Sequence, residues 1–442
     1  MKGLFPMSSE PTQFREAMLF LKDLSLDVLD ASRVQPGQSV AGHGPNATGD
    51  TLIRPGGREC YPSYWIRDFA ISVECGLIPP AELKHALVLT ARCQAPEDWL
   101  TPTGSLVPRG AIADHITFAG KPIYFPGTFE FEQQGQPWGY YPSLDDHFYF
   151  VEIAWQLAVA YGHGAILREE IDGMSLLDRL ALAFTIPAVV DDCELVWCKE
   201  EERGVSFGFT DIVVQTGYLL FCSILRYRAA GQLADLQQMC GAQQAADQYR
   251  SLANTIAENI QSAFAHESGL LRASTGKSAQ PDVWGSAFAV YSGVLGEREE
   301  EQVGRVLLRA LADGTIAWKG NIRHVPTDCD FSDTSAWEQT VNNAPKNRYQ
   351  NGAYWNTPTG WVCYAVAQVD DNTARNLALQ YVEELRAGDF RQGEEFGSPY
   401  ECIHPDGDYS QNPVYLTSVT CPLAAFRRLG WIGGDGEAEG SN

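Results

Sequence analysis

The sequence predicts an all-α fold, an (α/α)6 toroid of six helical hairpins with short β-hairpin insertions. Three observations carry that expectation. Twelve helical segments follow one another with few strand-like interruptions. They alternate between helices that are apolar all round and helices with one polar face. Each apolar helix is preceded by a polar, aromatic, turn-rich segment. A helix with no polar face must be covered on every side, whereas one with a polar face can form an outer wall. Six of each, in alternation, describe an inner ring inside an outer ring.

The segments begin near Pro11, Tyr64, Pro80, Leu144, Ser175, Asp211, Ala242, Trp284, Glu299, Pro358, Asn372 and Pro413. Those starting at Trp284 and Pro358 hold no charged residue through Leu295 and Val369. The one from Leu144 to Tyr161 carries only Asp145, Asp146 and Glu152. From Ala242 the pattern is different. Tyr249, Leu252, Ile256, Ile260 and Phe264 recur at helical spacing, while Asp247, Arg250 and Glu258 face elsewhere. Pro422 falls inside the last inner helix and is expected to kink it. Glu194–Trp197 and Gly204–Phe209 read as a hairpin across the charged turn Lys199–Arg203. The long Pro-, Gly- and Phe-rich stretch from Gln94 to Tyr141 is expected to pack over one end of the ring. The organisation expected is one domain over 1–432 and a disordered acidic tail over 433–442.

Composition narrows the function. The chain has 442 residues, 45% hydrophobic and 20% charged, enough apolar surface for a large core. Lys and Arg number 32 against 56 Asp and Glu, a net charge of −24. Such a surface repels phosphate backbones and anionic lipids, so nucleic acid and membrane are excluded as partners, and a neutral substrate is favoured. The clustered Arg54, Arg58, Arg323 and Arg348 leave room for a single carboxylate on that substrate. No apolar run reaches the ~18–20 residues of a membrane span. The first eleven residues do not read as a signal peptide. The 11 scattered cysteines include Cys222, Cys363 and Cys421 within apolar helices, which suits reduced thiols and a cytoplasmic location. The eight histidines form no ligand set, and no Walker segment, dinucleotide fingerprint or His-Glu-x-x-His occurs. No metal or cofactor is therefore expected. Asp328, Asp330 and Asp333 read as an exposed acidic loop rather than a calcium site.

In a closed ring the six aromatic, turn-rich segments converge on one mouth. They bring Tyr61, Tyr64, Trp65, Tyr141, Phe207, Trp284, Tyr354 and Trp355 beside Arg67, Asp68, Asn351 and Asn356. Flat apolar faces stack sugar rings, and planar amides, carboxylates and guanidinium groups bind hydroxyls. The set points to a small carbohydrate; taken singly, each aromatic also suits a plug for the funnel.

Tyr64-Trp-Ile-Arg-Asp-Phe-Ala resembles the aromatic–x–Arg–Asp segment of glucoamylases. Tyr349-Gln-Asn-Gly-Ala-Tyr-Trp, followed by Pro358-Thr-Gly-Trp361, is similar to an element recurring in the six-hairpin glycosidase superfamily. Tyr400-Glu-Cys-Ile-His-Pro-Asp-Gly407 resembles the segment before the last helix of trehalase-like enzymes. The resemblance to this superfamily of glucoamylases, trehalases and processing α-glucosidases implies an exo-acting, inverting glycoside hydrolase. It implies that Arg67 and Asp68 hold the terminal sugar; as parts of the mouth, Tyr64, Trp65, Asp145, Asp146, Trp284, Asn351, Tyr354 and Trp355 are expected to bind substrate too. It places the general acid at Asp211 and the base at Glu401, with Glu394, Glu395 and Asp406 as competitors.

The acid poses a physical question. Thr210-Asp211 also suits an ordinary helix N-terminus, where the macrodipole lowers a carboxyl pKa, whereas a general acid needs a raised one. Thr210 further stands where trehalases carry a tryptophan. Three alternatives stay open. Leu144-Asp-Asp-His-Phe-Tyr resembles unsaturated glycuronyl hydrolases, with Asp145 or Asp146 as acid. His147 and His404 would serve a sugar epimerase or isomerase. A toroid that binds sugar without turnover would need neither.

Overall fold

The computed structural model describes residues 10–58, 60–101, 104–124, 143–200, 205–341 and 344–433. The acidic tail beyond 433, Tyr141 and the turn 201–204 lie outside the described residues.

The outer helices are α1 (Glu10–Ser32), α3 (Pro80–Arg92), α5 (Leu176–Phe184), α7 (Gln243–Phe264), α9 (Glu297–Ala312) and α11 (Asp371–Ala387). The inner ones are α2 (Ile66–Val73), α4 (Asp146–Trp155), α6 (Leu220–Met239), α8 (Val283–Ser292), α10 (Thr359–Ala367) and α12 (Thr417–Arg428). Each inner helix packs on the next, α2 on α4, α4 on α6 and onward to α12, which returns to α2. That closes the ring and makes the fold an (α/α)6 toroid. Burial follows the apolar pattern. All eight residues of α2 are buried, while α7 buries only a stripe of Ala246, Ala253, Ile256, Ile260 and Phe264.

Local chemistry fixes several helix ends. Asp282 caps α8 by accepting from the Gly285 N–H at 2.9 Å, and the helix stops at Gly293, whose φ of 66° suits a residue without a Cβ. Asp370 caps α11 through the Thr373 N–H at 2.8 Å. Helix α12 continues through Pro422. The proline cannot donate to the carbonyl four residues back, that of Ser418, and the Tyr381 hydroxyl donates to it instead at 2.8 Å.

Two expectations are corrected. Helix α6 begins at Leu220, not near Asp211. The intervening residues run to other loops, with Val214 N–H bonded to Gln339 O at 2.9 Å and Val213 bridged to Thr340. The strand Trp197–Cys198 pairs with Gly217–Tyr218 rather than with the segment ending at Phe209. The largest sheet has five short strands, Ala317–Trp318, Asn321–Arg323, Tyr354–Trp355, Tyr400–His404 and Tyr409–Pro413, in chain order. It lines one side of the mouth. All eleven cysteines are unpaired. Among the described residues no helix is long and apolar enough to cross a membrane.

Candidate active site

The segments that precede the inner helices meet at one end of the ring, and their contacts define the site. Gly208, ahead of α6, donates its N–H to Asp145 at 3.0 Å. Its carbonyl accepts from the Gln350 amide at 3.1 Å, and the same side chain accepts from Ile212 N–H at 2.9 Å. Tyr415, ahead of α12, donates to Asp68 on α2 at 2.6 Å. A Cβ on Gly208 would fall 1.8 Å from the Arg67 guanidinium carbon, so only glycine fits there.

Arg67 is the hub. It is 3% exposed, and its Nε and Nη2 are taken up by carboxylates: Asp145 at 2.6 and 3.0 Å, Asp114 at 3.1 Å and Asp146 at 3.0 Å. Burial alone would raise Asp114, but Arg67 and His115 hold it below the usual carboxylate range. One guanidinium does not serve all three equally. Burial keeps Asp146 raised, and its Oδ2 has no hydrogen-bond partner. Asp145 and Asp146 are wholly buried in this clamp and position Arg67.

Two carboxyls stand apart from the clamp. Asp211 closes a short 3-10 turn, Gly208–Thr210, and keeps partial access to solvent. It is not at the start of α6, so the N-terminal dipole of that helix does not lower its pKa. Burial pushes it up to about 7 against the opposing pull of Gln350 and Arg67. Glu401, on the strand Tyr400–His404, is 1% exposed. It accepts from Asn412 at 2.6 Å and from Tyr61 at 3.2 and 3.3 Å. Burial pushes it up to about 8; Asn412 counters this and nearby Asp68 adds to it. Asp68 is itself raised to about 6 by burial, opposed by Tyr415 and Arg67.

The Tyr61 hydroxyl lies 3.3 Å from that of Tyr349, and both tyrosines sense the charges of Asp211 and Glu401. The tyrosine pair therefore links the surroundings of the two carboxyls. Tyr61 and Tyr349 take left-handed backbone conformations, φ 49° and 45°, which are costly for aromatic residues and cluster at functional sites. The competitors Glu394, Glu395 and Asp406 are exposed.

Period-two alternation sorts the aromatic pairs. Ser63–Trp65 is a strand, so Tyr64 and Trp65 face opposite ways. Half-buried Trp65 stacks on His115, with ring centroids 4.1 Å apart, and meets Tyr61 edge-on. Tyr64 turns back onto Phe69 and Thr90 and is 1% exposed. The strand Tyr354–Trp355 divides likewise. Trp355 meets Phe209, Trp284 and Tyr349, while Tyr354 packs on His404 and Trp318. Trp284 is fully buried and stacks on His324 at 3.4 Å.

Tyr64 and Tyr354 are thus framework rather than pocket, because a neighbour on the strand already takes the facing side. Asn351 is framework too. Its amide accepts from Ala336 N–H at 2.8 Å and donates to Ala344 O at 2.7 Å. Two of the four arginines are committed to the framework: Arg58 binds the carbonyls of Phe390, Gly393 and Glu394, and Arg323 binds Asp330 at 2.6 Å and Gly352 O at 2.9 Å. Asp330 is held by Arg323 and Lys346, and among the described residues no three His, Cys, Asp or Glu side chains gather as metal ligands. His147 accepts from Ile112 N–H at 3.3 Å, and its burial pushes it down to about 4. His404 accepts from Asp406 N–H at 3.0 Å.

No family model and no curated protein matches the sequence. Solved structures match the fold along nearly its whole length. A glycosidase aligns with a TM-score of 0.57 and 13% identity, covering 98% of this chain and 100% of its own. The glucoamylase of Saccharomycopsis fibuligera gives 0.60 and 11%, covering 97% and 98%. The mannosylglycerate hydrolase of Thermus thermophilus, in complex with glucose, gives 0.53 and 12%, covering 91% and 99%. The chain shares the (α/α)6 fold of these glycosidases.

Sequence reasoning missed Asp114 and His115, which come from the long Gln94–Tyr141 stretch. The available signal was a charged pair inside the apolar run Ala111-Ile-Ala-Asp-His-Ile116. It also left out Gln350, Asn412 and Tyr415, which lie within or beside mouth segments that the sequence did single out.

Proposed function

We propose that this chain is a glycoside hydrolase that releases a sugar from the end of a small neutral glycoside with inversion, with Asp211 as general acid and Glu401 as general base. A single (α/α)6 unit over 1–432 carries the activity, without a cofactor. The observation that carries this reading is a pair of carboxyls, Asp211 and Glu401, both raised by burial, both beside the Tyr61–Tyr349 hydroxyl pair, and next to the half-buried Trp65 ring. Inversion needs an acid to protonate the leaving oxygen and a carboxylate to draw a proton from water on the opposite face, roughly 6.5–9.5 Å away.

Burial supplies the raised pKa that a general acid needs at neutral pH. Glu401 is fitted to the base role by its donors, since the Asn412 amide N–H and the Tyr61 hydroxyl favour a carboxylate. Arg67 and Asp68 lie on the first turn of α2 beneath Trp65, placed to hold the terminal sugar. Glucose stands in two of the matching structures, which supports a small neutral sugar.

The same observations favour a second reading in which the roles are reversed. Burial raises Glu401 to about 8 and Asp211 to about 7, so either carboxyl can hold the proton near neutral pH. Both assignments give a bell-shaped kcat/KM profile with limbs near 7 and 8, because one group must be protonated and the other ionised in either case.

Proton NMR of a panel of α- and β-linked disaccharides and glycosyl-glycerates tests the reaction. The expected result is release of the inverted anomer by wild type and none by Asp211→Asn. Release of the retained anomer, or epimer interconversion without cleavage, overturns the reading; sugar binding without turnover would leave a binding toroid. Aryl glycosides then separate the roles. The variant lacking the acid still cleaves an activated dinitrophenyl glycoside, whereas the one lacking the base is rescued by azide.

A further inference from the structure

The Trp65 ring at the mouth is held without a polar anchor. Its indole N–H is buried and has no hydrogen-bond partner among the described residues. What fixes the ring is aromatic contact: Tyr61 edge-on at 5.2 Å, and the His115 imidazole stacked on it, 16° from parallel with centroids 4.1 Å apart. That stack is written into strand register. Ser63–Trp65 pairs antiparallel with His115–Thr117, and Trp65 stands directly opposite His115, so the two side chains leave the same face of the sheet. The His115 strand is the central one of three, with Ile123 opposite His115 on its other side. Where α2 begins, the Ile66 N–H donates to Asp114 O at 3.1 Å. The backbone under the imidazole is thereby tied on both sides.

His115 is fixed in its turn. Its Nδ1 lies 2.8 Å from Asp114 Oδ2, and the other oxygen of Asp114 accepts from Arg67 Nη2 at 3.1 Å. Asp114 is 1% exposed and His115 6%, whereas Trp65 keeps partial access to solvent. A continuous chain of contacts therefore runs from Arg67 through Asp114 and His115 to Trp65. It joins the residue placed to hold the terminal sugar to the ring beside it.

We propose that His115 is a positioning residue of the site: its imidazole backs the Trp65 indole and sets the angle at which that ring meets a pyranose. It acts through Trp65, while its contact with Asp114 ties the imidazole to the Arg67 clamp. The inference rests on the reading of the mouth as a sugar site with Trp65 as a platform. A platform engages substrate and transition state alike, so loosening it raises KM and spares kcat. A ring stack of this kind is worth about 2–12-fold in a binding constant.

Two substitutions separate the ring from the hydrogen bond. His115→Asn keeps a donor for Asp114 and loses the ring; His115→Phe keeps a ring and loses the donor. On a glycoside that the wild type cleaves, His115→Asn is expected to raise KM about 2–12-fold with kcat within about 2-fold, and His115→Phe to stay near the wild-type KM. In a Trp65→Ala background His115→Asn should change KM no further. Fluorine NMR of the full chain labelled with fluorotryptophan reads the same point without substrate. The Trp65 line, identified by its loss in Trp65→Phe, is expected to broaden or split in His115→Asn and to stay single and sharp in His115→Phe. A single sharp Trp65 line in His115→Asn overturns the proposal, as does an unchanged KM there, an equal rise in His115→Phe, or a rise that persists without Trp65. Failure of the hydrolase reading is a separate outcome: the wild type then cleaves no glycoside, and the fluorine line alone decides.

Discussion

Two arginines stand inside the ring of inner helices, one at each end, and they are served very differently. At the closed end Arg228 on α6 pairs with Glu74 and with Glu152, the latter at 2.9 Å. Tyr291 donates to Glu74 at 2.7 Å, Gln232 to Glu152, and Gln156 to Glu152 at 3.0 Å. Burial would raise Glu74, but Arg228 and Tyr291 hold it below its usual range. The cavity beside them, about 20 Å³ and walled by Phe148, Phe288 and Trp361, is large enough for one water. At the mouth Arg67 faces three carboxylates, and beyond them Asp68, Asp211 and Glu401 are all raised by burial. Both ends bury charge, but only the mouth leaves carboxyls that its arginine does not satisfy. Carboxyls satisfied by an arginine and neutral donors are structural; carboxyls left raised by burial give proton donors and acceptors near neutral pH.

The largest effect expected from breaking this contrast is on turnover. Asp211→Asn and Glu401→Gln should each lower kcat/KM on a natural glycoside by roughly 10³–10⁴-fold. Glu152→Gln, at the closed end, should leave it within about 2-fold. Steady-state kinetics checks all three, and a large loss in Glu152→Gln would erase the distinction.

Stability comes next. Arg67→Met strands three buried carboxylates and should cost about 3–5 kcal/mol in denaturant unfolding. Gly208→Ala should also destabilise the fold, by forcing the Arg67 guanidinium from its place. The closed end should respond the other way. Replacing Glu74, Glu152 and Arg228 together by Leu, Leu and Met removes a pair-and-carboxyl set without orphaning a charge. The triple variant is expected within about 1 kcal/mol of wild type, or above it.

The smallest effect is the linkage of stability to pH. Asp68, Asp211 and Glu401 have folded pKa values above their unfolded ones, so the folded state binds more protons. Stability should fall as pH rises from about 4, where the unfolded carboxyls titrate, through about 8, where Glu401 does. Asp211→Asn should therefore raise Tm at pH 8.5 and leave it nearly unchanged at pH 4. An equal shift at both values would mean that the carboxyl is not raised.

The helices were legible because burial on all sides and burial on one side leave different patterns along the chain. Twelve segments, their alternation and their closure into a ring follow from that contrast, seen most plainly between α8 and α9. The start of α6 was not legible. Thr210-Asp211 has the side chains of a helix cap, but Val213 and Val214 pair with Gln339 and Thr340, more than a hundred residues later. The aromatic pairs show the same limit. Tyr64-Trp65 and Tyr354-Trp355 look like doubled sugar platforms until strand pairing makes them alternate, so that one of each pair faces away.

By itself the sequence determined the ring, its two classes of helix and the set of segments gathered at its mouth, because hydrophobic burial is written into local periodicity. The tertiary structure alone decided what each carboxyl meets. Asp145 and Asp146 are adjacent to ordinary helix-starting residues in the chain, and only folding brings Arg67 to both and the Gly208 N–H to Asp145. Asp211 and Glu401 acquire their raised pKa values from desolvation and from neighbours far away in sequence, Gln350 for one and Tyr61 for the other. A pKa depends on every charge and dipole within a few ångströms, and that neighbourhood exists only once the chain has folded.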